Sequence, residues 1–238
     1  MPLFLSRRNT ALTEIMDDPD CDREGLFRTY KTFDRMNRLL SGWTSIYKKE
    51  IRPVLEASSS QITLLDIGTG GGDVPRHLSE LAVKDGYSLD ITAIDPDERA
   101  IEFAKSANSP ANIDFLSARS NQLVKEDKQF DFVISNHVVH HLEESEILSL
   151  CRDAEKLCRH CVLFNDIERG DLGYAFFSLA APLLFRNTFI PTDGPLSIRR
   201  SFTKHELSQL LPHGWNVQRI FPYRLIASYR SKDSGVEL

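Results

Sequence analysis

Apolar and amphipathic segments alternate along the middle of the chain, from about residue 61 to residue 166. Short uninterrupted apolar runs are typical of buried strands, and amphipathic runs between them are typical of helices packed on a sheet. The pattern predicts strands at residues 61–67, 89–95, 112–116, 130–135 and 161–165. It predicts helices between them at residues 73–83, 98–107 and 143–157. This alternation predicts a parallel sheet with helices on both faces.

The two ends of the chain depart from this alternation. Residues 1–56 are expected to be mostly helical, with apolar side chains at helical spacing at Phe33, Met36, Leu39 and Leu40. Residues 167–200 form a long insertion rich in aromatic residues, Pro and Gly but without clear periodicity. Such a segment is typical of a lid or binding loop.

The last part of the chain returns to regular elements. Thr203 and Glu206 predict a capping box that begins a helix. Two final strands follow near residues 216–220 and 225–229, and Pro222 between them predicts a tight antiparallel connection.

Length, charge and apolar runs limit the kind of protein. A chain of 238 residues fits one sizeable domain. The net charge of -5 gives no general attraction to nucleic acid, so we expect no nucleic-acid partner. The longest apolar run, residues 174–185, is too short to span a membrane, and Arg7 and Arg8 interrupt the N-terminal apolar stretch. Four cysteines fit a reducing compartment, and we expect a cytoplasmic protein.

Three of the cysteines could in principle form a zinc site. Cys158 and Cys161 have CxxC spacing, and Cys151 and His160 are near them in the sequence. Cys151 and Cys158 fall on a predicted helix, whereas Cys161 opens a predicted strand, so a shared tetrahedron is hard to build. Buried free thiols are the preferred interpretation, and we expect no metal site.

A glycine-rich loop, Asp66-Ile-Gly-Thr-Gly-Gly-Gly72, directly follows the first strand. Glycines let the backbone turn sharply and let a ligand approach it, and free amides at a helix start favour negative groups. A dinucleotide fingerprint needs Gly or Ala at its third position, which is Asp73 or Pro75 here, depending on the starting glycine. The loop instead matches the pattern acidic-x-Gly-x-Gly-x-Gly, with Asp66, Gly68, Gly70 and Gly72.

Asp95 ends the second strand and is followed by Pro96. A carboxylate at this place can accept both ribose hydroxyls of a nucleoside, and each charge-assisted hydrogen bond contributes about 1.5–3 kcal/mol. A helix cap or turn is the alternative. The offset of Asp95 behind the glycine loop favours ribose binding.

These features together resemble class I (Rossmann-like) S-adenosylmethionine-dependent methyltransferases. The glycine loop is similar to their motif I, and residues 130–142 are similar to their motif IV and the segment after it. Many members have Gly-Asp where this chain has Ala118-Arg119, so a backbone amide near Ser120 is expected at the adenine. The resemblance implies S-adenosylmethionine as cofactor and implies cofactor contacts from Asp66, Gly68, Thr69, Gly70, Gly72, Asp95, Pro96, Arg119, Ser120, Asn136 and His137.

The resemblance also completes the expected fold. It implies a Rossmann-like three-layer α/β sandwich, in which a seven-stranded, mostly parallel sheet has a reversed last strand. A helical N-terminal extension and a lid insertion before the last helix are added to it. We expect a single domain made of a helical cover, a cofactor-binding core, a substrate lid and a final helix with two strands, at residues 1–56, 61–166, 167–200 and 201–238.

Candidate catalytic residues follow the fourth and fifth strands. The sulfonium of S-adenosylmethionine already activates its methyl group, so the protein must mainly align the reacting atoms, and a hydroxyl acceptor also gains from a general base. Sheets of this type bind ligands at the carboxyl ends of their strands, where His137, His140 and His141 lie. They are the candidate bases, with packing or capping as the alternative. Asp166 and Glu168 are further acidic candidates.

The acceptor is expected to be small and lipophilic. Residues 33–41 resemble the N-terminal segment that helps cover the cofactor in quinone-biosynthesis methyltransferases. The insertion could roof an aromatic substrate, lie on a membrane surface or bury a homodimer contact. Arg199 and Arg200 could hold a substrate oxygen or be solvated. We expect O-methylation of a phenol, quinol or polyketide-like acceptor under an apolar roof made of Tyr174, Phe176, Phe177, Leu179, Leu183, Leu184, Phe185 and Phe189.

Three other classes of protein remain open. Base-amine methyltransferases of macromolecules usually carry Asp or Asn-Pro-Pro-Tyr after the fourth strand, whereas Asn136-His-Val-Val stands here. A non-catalytic cofactor-binding module would keep the same loop and Asp95. A nicotinamide oxidoreductase is disfavoured by the order of the glycines.

Overall fold

A computed structural model of the protein describes residues 2–231. Its strands are β1 (Ile62–Ile67), β2 (Leu89–Asp95), β3 (Ile113–Ser117), β4 (Phe130–Asn136), β5 (Cys158–Ile167), β6 (Trp215–Ile220) and β7 (Arg224–Arg230). They form one sheet in the order β3-β2-β1-β4-β5-β7-β6, in which only β7 is antiparallel to its neighbours. The predicted seven-stranded, mostly parallel sheet with a reversed last strand is confirmed.

Helices cover both faces of this sheet. They are α1 (Arg23–Leu40), α2 (Trp43–Ile46), α3 (Arg52–Ala57), α4 (Asp73–Lys84), α5 (Glu98–Ser106), α6 (Ser120–Lys125), α7 (Glu144–Leu157), α8 (Asp171–Leu184), α9 (Ile190–Arg200) and α10 (Lys204–Leu210). A π-helical segment, Tyr47–Ile51, joins α2 to α3, and 3-10 turns lie at Ile15–Asp17 and Val139–His141. The side chain of Thr203 caps α10 with Glu206 as predicted.

Two apolar cores lie on opposite faces of the sheet, because successive strand residues point to opposite sides. Leu64 and Phe132 pack against α2 to α5, and their neighbours Leu65 and Val133 pack against α6, α7 and α10. All four side chains are fully buried. The three-layer arrangement expected from the alternating pattern is therefore confirmed.

The N-terminal extension is mostly helical, as expected, but its α-helices begin only at Arg23. Residues 2–22 instead cross the carboxyl edge of the sheet with little regular structure. Distant residues satisfy their backbone amides: Asp193 accepts from the N–H groups of Ile15 and Met16, and the carbonyl of Arg199 accepts from Asn9. Such long-range partners leave no trace in local periodicity.

The insertion is a pair of helices, α8 and α9, rather than a loop without regular structure. Prolines explain why the sequence hides these helices. Pro191 lies in the first turn of α9, where a missing N–H has no cost, and Pro182 lies near the end of α8. Among the described residues, no helix is long and apolar enough to cross a bilayer.

Three cysteines are buried and carry free thiols, as the preferred interpretation predicted. Cys151 lies on α7, but Cys158 begins β5 together with Cys161 and does not end the helix. Burial raises the pKa of each of these thiols to about 12, so they stay protonated and unreactive.

Candidate active site

The glycine loop joins β1 to α4 through three left-handed residues. Gly68, Gly70 and Gly72 have φ angles of 74°, 54° and 75°, which favour glycine. A Cβ atom at Gly68 would overlap Cγ2 of Val138, and one at Gly72 would lie 2.6 Å from the ring of Phe115. A Cβ at Gly70 would meet nothing closer than 3.7 Å. Gly68 and Gly72 are thus also required for packing, whereas a Cβ atom at Gly70 would make only ordinary van der Waals contact with Tyr30.

Asp95 reaches back from the end of β2 to this loop. Its Oδ2 accepts a hydrogen bond from the N–H of Gly70 at 2.8 Å, and its Oδ1 accepts from the N–H of Asp97 at 2.9 Å. Burial raises the pKa of Asp95 above its usual range. The carboxylate therefore lies in a sheltered place, as a ribose-binding carboxylate must.

A groove of about 360 Å³ runs along the glycine loop and the carboxyl ends of β1, β2 and β4; we call it the glycine-loop groove. Asp66 is fully buried at its floor, and its Oδ1 accepts no hydrogen bond from any described residue. Burial raises the pKa of Asp66 to about 7. The hydroxyl oxygen of Thr69 is likewise buried without a partner. Both atoms are available to a ligand.

The structure brings most of the expected cofactor contacts to this groove. It is lined by Asp66, Gly68, Thr69, Gly70, Asp95, Pro96, Asn136 and His137. Gly72, Arg119 and Ser120 do not line it. The hydroxyl of Ser120 donates instead to Asp153 at 2.7 Å, and Arg119 caps α6. The Arg-Ser pair therefore forms the start of a short helix that the sequence pattern did not predict.

The N-terminal helices close one side of the groove. Tyr30, Phe33 and Asn37 of α1 line it. Nδ2 of Asn37 donates to Asp73 at 2.8 Å, and Nε1 of Trp43 donates to Asn136 at 3.0 Å. The motif at residues 33–41 was the sequence signal for this cover.

The groove is also lined by further residues outside the predicted set. They are Glu14, Met16, Asp17, Gly71, Val74, Asp97, Arg99, Val138, His140, His141 and Ser197. Of these, the two histidines were expected only as candidate bases. Glu14 and Ser197 come from distant parts of the chain, and no local pattern marks them.

His137 links the groove to β7. Its backbone is left-handed, with φ of 60°, and its N–H donates to the carbonyl of Asn165 at 2.9 Å. Nη1 of Arg224 donates to its Nε2. Burial, reinforced by the charge of Arg224, holds the pKa of His137 well below its usual range. His137 is therefore neutral, and its basic nitrogen is already in use.

His140 is held between two buried carboxylates. Its Nδ1 donates to Oδ1 of Asp166 at 2.6 Å, and its Nε2 lies 3.5 Å from Oε1 of Glu14. Burial alone would lower the pKa of His140, but the two carboxylates outweigh it and raise the pKa to about 9. His140 is thus protonated at neutral pH and cannot accept a proton.

His141 is the most accessible of the three histidines, with about a quarter of its side chain exposed. Its Nδ1 donates to Oδ2 of Asp17 at 3.1 Å. The structure thus brings all three candidate bases to the groove and gives each a different partner.

An apolar cavity of about 160 Å³ adjoins the groove; we call it the apolar chamber. Helices α1, α8 and α9 and the turn before β7 form its walls, which include Met36, Leu40, Phe177, Ile198 and Tyr223. Five residues line both cavities: Glu14, Met16, Phe33, His137 and Ser197. The two spaces therefore meet beside His137.

The expected aromatic roof is largely absent from the chamber wall. Of the apolar side chains predicted for it, Phe177 lines the chamber. Four others on α8 do not line it and are more than 60 % exposed, namely Phe176, Leu179, Leu183 and Leu184. Tyr174, Phe185 and Phe189 do not line it either. The composition of the insertion was informative, but the orientation of its helix was not visible in the sequence.

The charged candidates of this region have structural partners. Arg200 is buried and donates to the carbonyls of Leu12 and His141 at 2.8 and 2.9 Å, so it is neither solvated nor directed at a substrate. The carbonyl of Arg199 accepts a hydrogen bond from the N–H of Asn9 at 3.0 Å, and we assign no substrate contact to Arg199. Glu168 lines the chamber and pairs with Arg219.

Arg224 is a site residue that sequence reasoning missed. It begins β7, is 5 % exposed and lines the apolar chamber. No carboxylate of the described residues lies within 4.0 Å of its guanidinium, whose hydrogen bond goes to neutral His137. Burial lowers the pKa of Arg224 to about 10, which leaves it charged at neutral pH. The chamber thus combines apolar walls with one arginine and three acidic residues, Glu14, Glu168 and Asp193.

Comparison with known proteins agrees with this geometry. Residues 64–160 match the sequence family described as a methyltransferase domain. The ubiquinone/menaquinone biosynthesis C-methyltransferase UbiE of Rickettsia typhi is 23% identical over 184 residues, which are 72% of this chain and 69% of that protein.

Two solved structures show the same fold. The plantazolicin methyltransferase BpumL in complex with SAH has a TM-score of 0.61 at 15% identity, covering 88% of this chain and 95% of that one. Human N-acetylserotonin methyltransferase in complex with SAM has a TM-score of 0.62 at 14% identity, covering 88% of this chain and 56% of that one. With its matching domain, its sheet order and its glycine loop, the chain resembles the class I, Rossmann-like S-adenosylmethionine-dependent methyltransferases.

Proposed function

We propose that this enzyme transfers the methyl group of S-adenosylmethionine to a small lipophilic or aromatic acceptor bound in the apolar chamber. One observation carries the proposal: the glycine-loop groove and the chamber share lining residues and therefore meet. A cofactor in the groove and an acceptor in the chamber would approach each other beside His137.

The residues of the groove fit the cofactor. Asp95 would accept the ribose hydroxyls, and Gly70, which has no side chain, would let the cofactor approach the backbone of the loop. The unpartnered oxygens of Asp66 and Thr69 offer polar contacts that no described residue uses. When bound, S-adenosylmethionine supplies a methyl group already activated by its sulfonium.

The main task of the chain is then positioning. Helix α1 covers both cavities through Phe33, and α9 does so through Ser197. Holding acceptor and cofactor in line can contribute about 7–11 kcal/mol in favourable cases. Apolar walls such as Met36 and Ile198 exclude water from the acceptor.

Arg224 supports an acceptor with an acidic hydroxyl, such as a phenol or quinol. An acceptor oxygen bound next to its buried guanidinium would be favoured in the ionised form, whereas one bound next to Glu14, Glu168 or Asp193 would not. Because His137 and His140 have no free basic nitrogen at neutral pH, an ionised acceptor would remove the need for a base. This favours O-methylation.

The names of the relatives agree with a small-molecule acceptor. UbiE is named for ubiquinone and menaquinone biosynthesis, BpumL for plantazolicin and the human enzyme for N-acetylserotonin. UbiE is named a C-methyltransferase, so the site of methylation needs a direct test. An NMR spectrum of the product distinguishes a methoxy carbon from a methyl group on a ring carbon.

A chamber-filling variant tests the proposal. SAH formation would be measured with S-adenosylmethionine and a panel of alkylphenols and naphthohydroquinones. Met36→Trp should lower turnover about tenfold or more because the larger ring occupies the acceptor space, while SAH affinity stays unchanged. Met36→Leu is the volume-conserving control. Full turnover by Met36→Trp would exclude the chamber as the acceptor site.

Cellular location and assembly belong to the same proposal. Three buried reduced thiols support the expected cytoplasmic location. The homodimer stays a prediction, supported by exposed apolar side chains on α8 such as Phe176 and Leu179. Light scattering on the purified chain measures its mass directly.

A further inference from the structure

Glu14, His140 and His141 come together beside the groove, although Glu14 belongs to the N-terminal segment and the histidines follow β4. Nε2 of His140 lies 3.5 Å from Oε1 of Glu14, and Nε2 of His141 lies 4.0 Å from Oε2. One ligand atom from each residue lies within 4.8 Å of the other two. We propose that these three side chains bind one divalent transition-metal ion.

The distances suit a shared ion. Two ligand atoms at about 2.1 Å from a tetrahedral ion are themselves about 3.4 Å apart, close to the separation of His140 and Glu14. His141 would need to move slightly toward the ion, and its partly exposed side chain has room to do so. Two imidazoles and one carboxylate form a set that suits zinc, iron, manganese, cobalt or nickel.

Both histidines are oriented for this role by a second carboxylate. Nδ1 of His140 donates to Asp166 at 2.6 Å, and Nδ1 of His141 donates to Asp17 at 3.1 Å. Each ring therefore presents Nε2 toward Glu14. Histidines that bind metals almost always donate their other nitrogen in this way, which fixes the tautomer and raises ligand basicity.

Two ligand atoms are buried without a close hydrogen-bond partner. Nε2 of His140 and Oε1 of Glu14 lie 3.5 Å apart, at the limit of a hydrogen bond, and neither has another partner among the described residues; the two residues are 1% and 2% exposed. Buried polar atoms are nearly always satisfied, and leaving one unsatisfied is costly. An ion between them satisfies both atoms and displaces the proton of His140.

Further carboxylates support the ligands of the proposed ion. Asp166 and Asp17 bind the histidines, and Asp193 holds the turn that follows Glu14 through the amides of Ile15 and Met16. Arg200 pairs with Asp17 at 3.4 Å, and Arg8 donates to the carbonyl of His140 at 3.0 Å. These arginines offset part of the negative charge around the cluster, so the proposal rests on the arrangement of the ligand atoms.

The position of the cluster suggests what the ion does. All three ligands line the groove, and Glu14 also lines the chamber. With three protein ligands, the ion keeps an open position for an oxygen atom of the acceptor, as catalytic metal sites do. This role rests on the proposed function, whereas binding of the ion does not.

The experiment measures metal binding directly. The full chain is treated with EDTA, desalted and titrated with Zn²⁺, Mn²⁺ and Ni²⁺ by calorimetry, and bound metal is counted by elemental analysis. We expect one equivalent of at least one of these ions per chain. Glu14→Gln and His141→Ala should each weaken binding about 100-fold or more, and Asp17→Asn about tenfold.

His213→Ala, an exposed histidine far from the cluster in the sequence, is the matched control and should bind as the wild type does. Circular dichroism and denaturant unfolding on the same samples show whether each variant is folded. Absence of stoichiometric binding, or unchanged affinity in folded Glu14→Gln and His141→Ala, would overturn the metal site. Retained SAH binding in that case leaves the methyltransferase function intact.

Discussion

Oδ2 of Asp95 accepts a hydrogen bond from the backbone N–H of Gly70 at 2.8 Å, so the end of β2 fixes the loop that follows β1. The glycine loop and Asp95, from which the sequence predicts a cofactor site, are therefore joined by a hydrogen bond. The carboxylate is oriented before any ligand arrives, which reduces the cost of ordering it on binding.

Asp95→Ala should weaken SAH binding about 100-fold or more. The variant loses charge-assisted hydrogen bonds to the ribose, each contributing about 1.5–3 kcal/mol, and also frees the loop. Calorimetric titration with SAH measures the effect. Asp90→Ala, an exposed carboxylate on the same strand, should leave affinity unchanged. Affinity of Asp95→Ala within threefold of wild type would remove the ribose role.

Gly70→Ala and Gly72→Ala should fail in different ways. Both residues have positive φ, which costs an alanine about 1–2 kcal/mol. At Gly72 the added methyl also meets Phe115, so the free energy of unfolding should fall by about 1 kcal/mol more. Gly70 lines the groove and has room for the methyl, so SAH affinity should fall more than stability. Denaturant unfolding and calorimetry on both variants separate these effects.

Asp66→Asn should become more stabilising as the pH rises. Burial raises the folded-state pKa of Asp66 to about 7, so its ionisation opposes folding. Below the pKa that Asp66 has in the unfolded chain, the carboxyl group adds fully to the free energy of unfolding, and this contribution is lost as the pH rises through the folded-state pKa near 7. The advantage of Asp66→Asn in unfolding free energy should therefore grow by about 2 kcal/mol between pH 5 and pH 8.

Denaturant unfolding at each pH provides the measurement for Asp66→Asn. Asp114→Asn is the control, because Asp114 is exposed on the neighbouring strand β3 and removes the same charge. An advantage of Asp66→Asn that does not change with pH would show that this carboxyl group is not held neutral by burial.

Arg224→Met should impair binding of apolar anions specifically. The chamber of the wild type should bind 8-anilinonaphthalene-1-sulfonate, an apolar anion, and lose about tenfold or more affinity in the variant, since a charge-assisted contact is removed. The uncharged N-phenyl-1-naphthylamine should bind both proteins alike. Arg230→Met on the exposed end of β7 serves as the control. Equal loss of both probes would indicate collapse of the chamber instead of a charge effect.

Sequence alone predicted the elements whose cause is local. β1 and β2 are short apolar runs, and Gly68 and Gly72 mark left-handed positions that a side chain would obstruct. The acidic end of β2 follows from the same local pattern. These features depend on neighbours in the chain, so the pattern of residues contains them.

The other half of the site depends on contacts between distant residues. Glu14 reaches His140 through a segment without periodicity, and Arg224 reaches His137 from β7, far from it in the sequence. Helix α8 carries apolar residues on its exposed side, so its composition pointed to the wrong face. Prolines concealed α9. None of these relationships can be inferred from spacing.

Calorimetric titration of the wild-type chain with SAH tests the central claim most directly. The account predicts saturable binding of one SAH per chain with a dissociation constant in the micromolar range, which corresponds to a binding free energy of about -8 kcal/mol. Binding should be lost in Asp95→Ala and kept in Asp90→Ala. A folded wild-type chain that binds neither SAH nor S-adenosylmethionine at millimolar concentration would contradict the account.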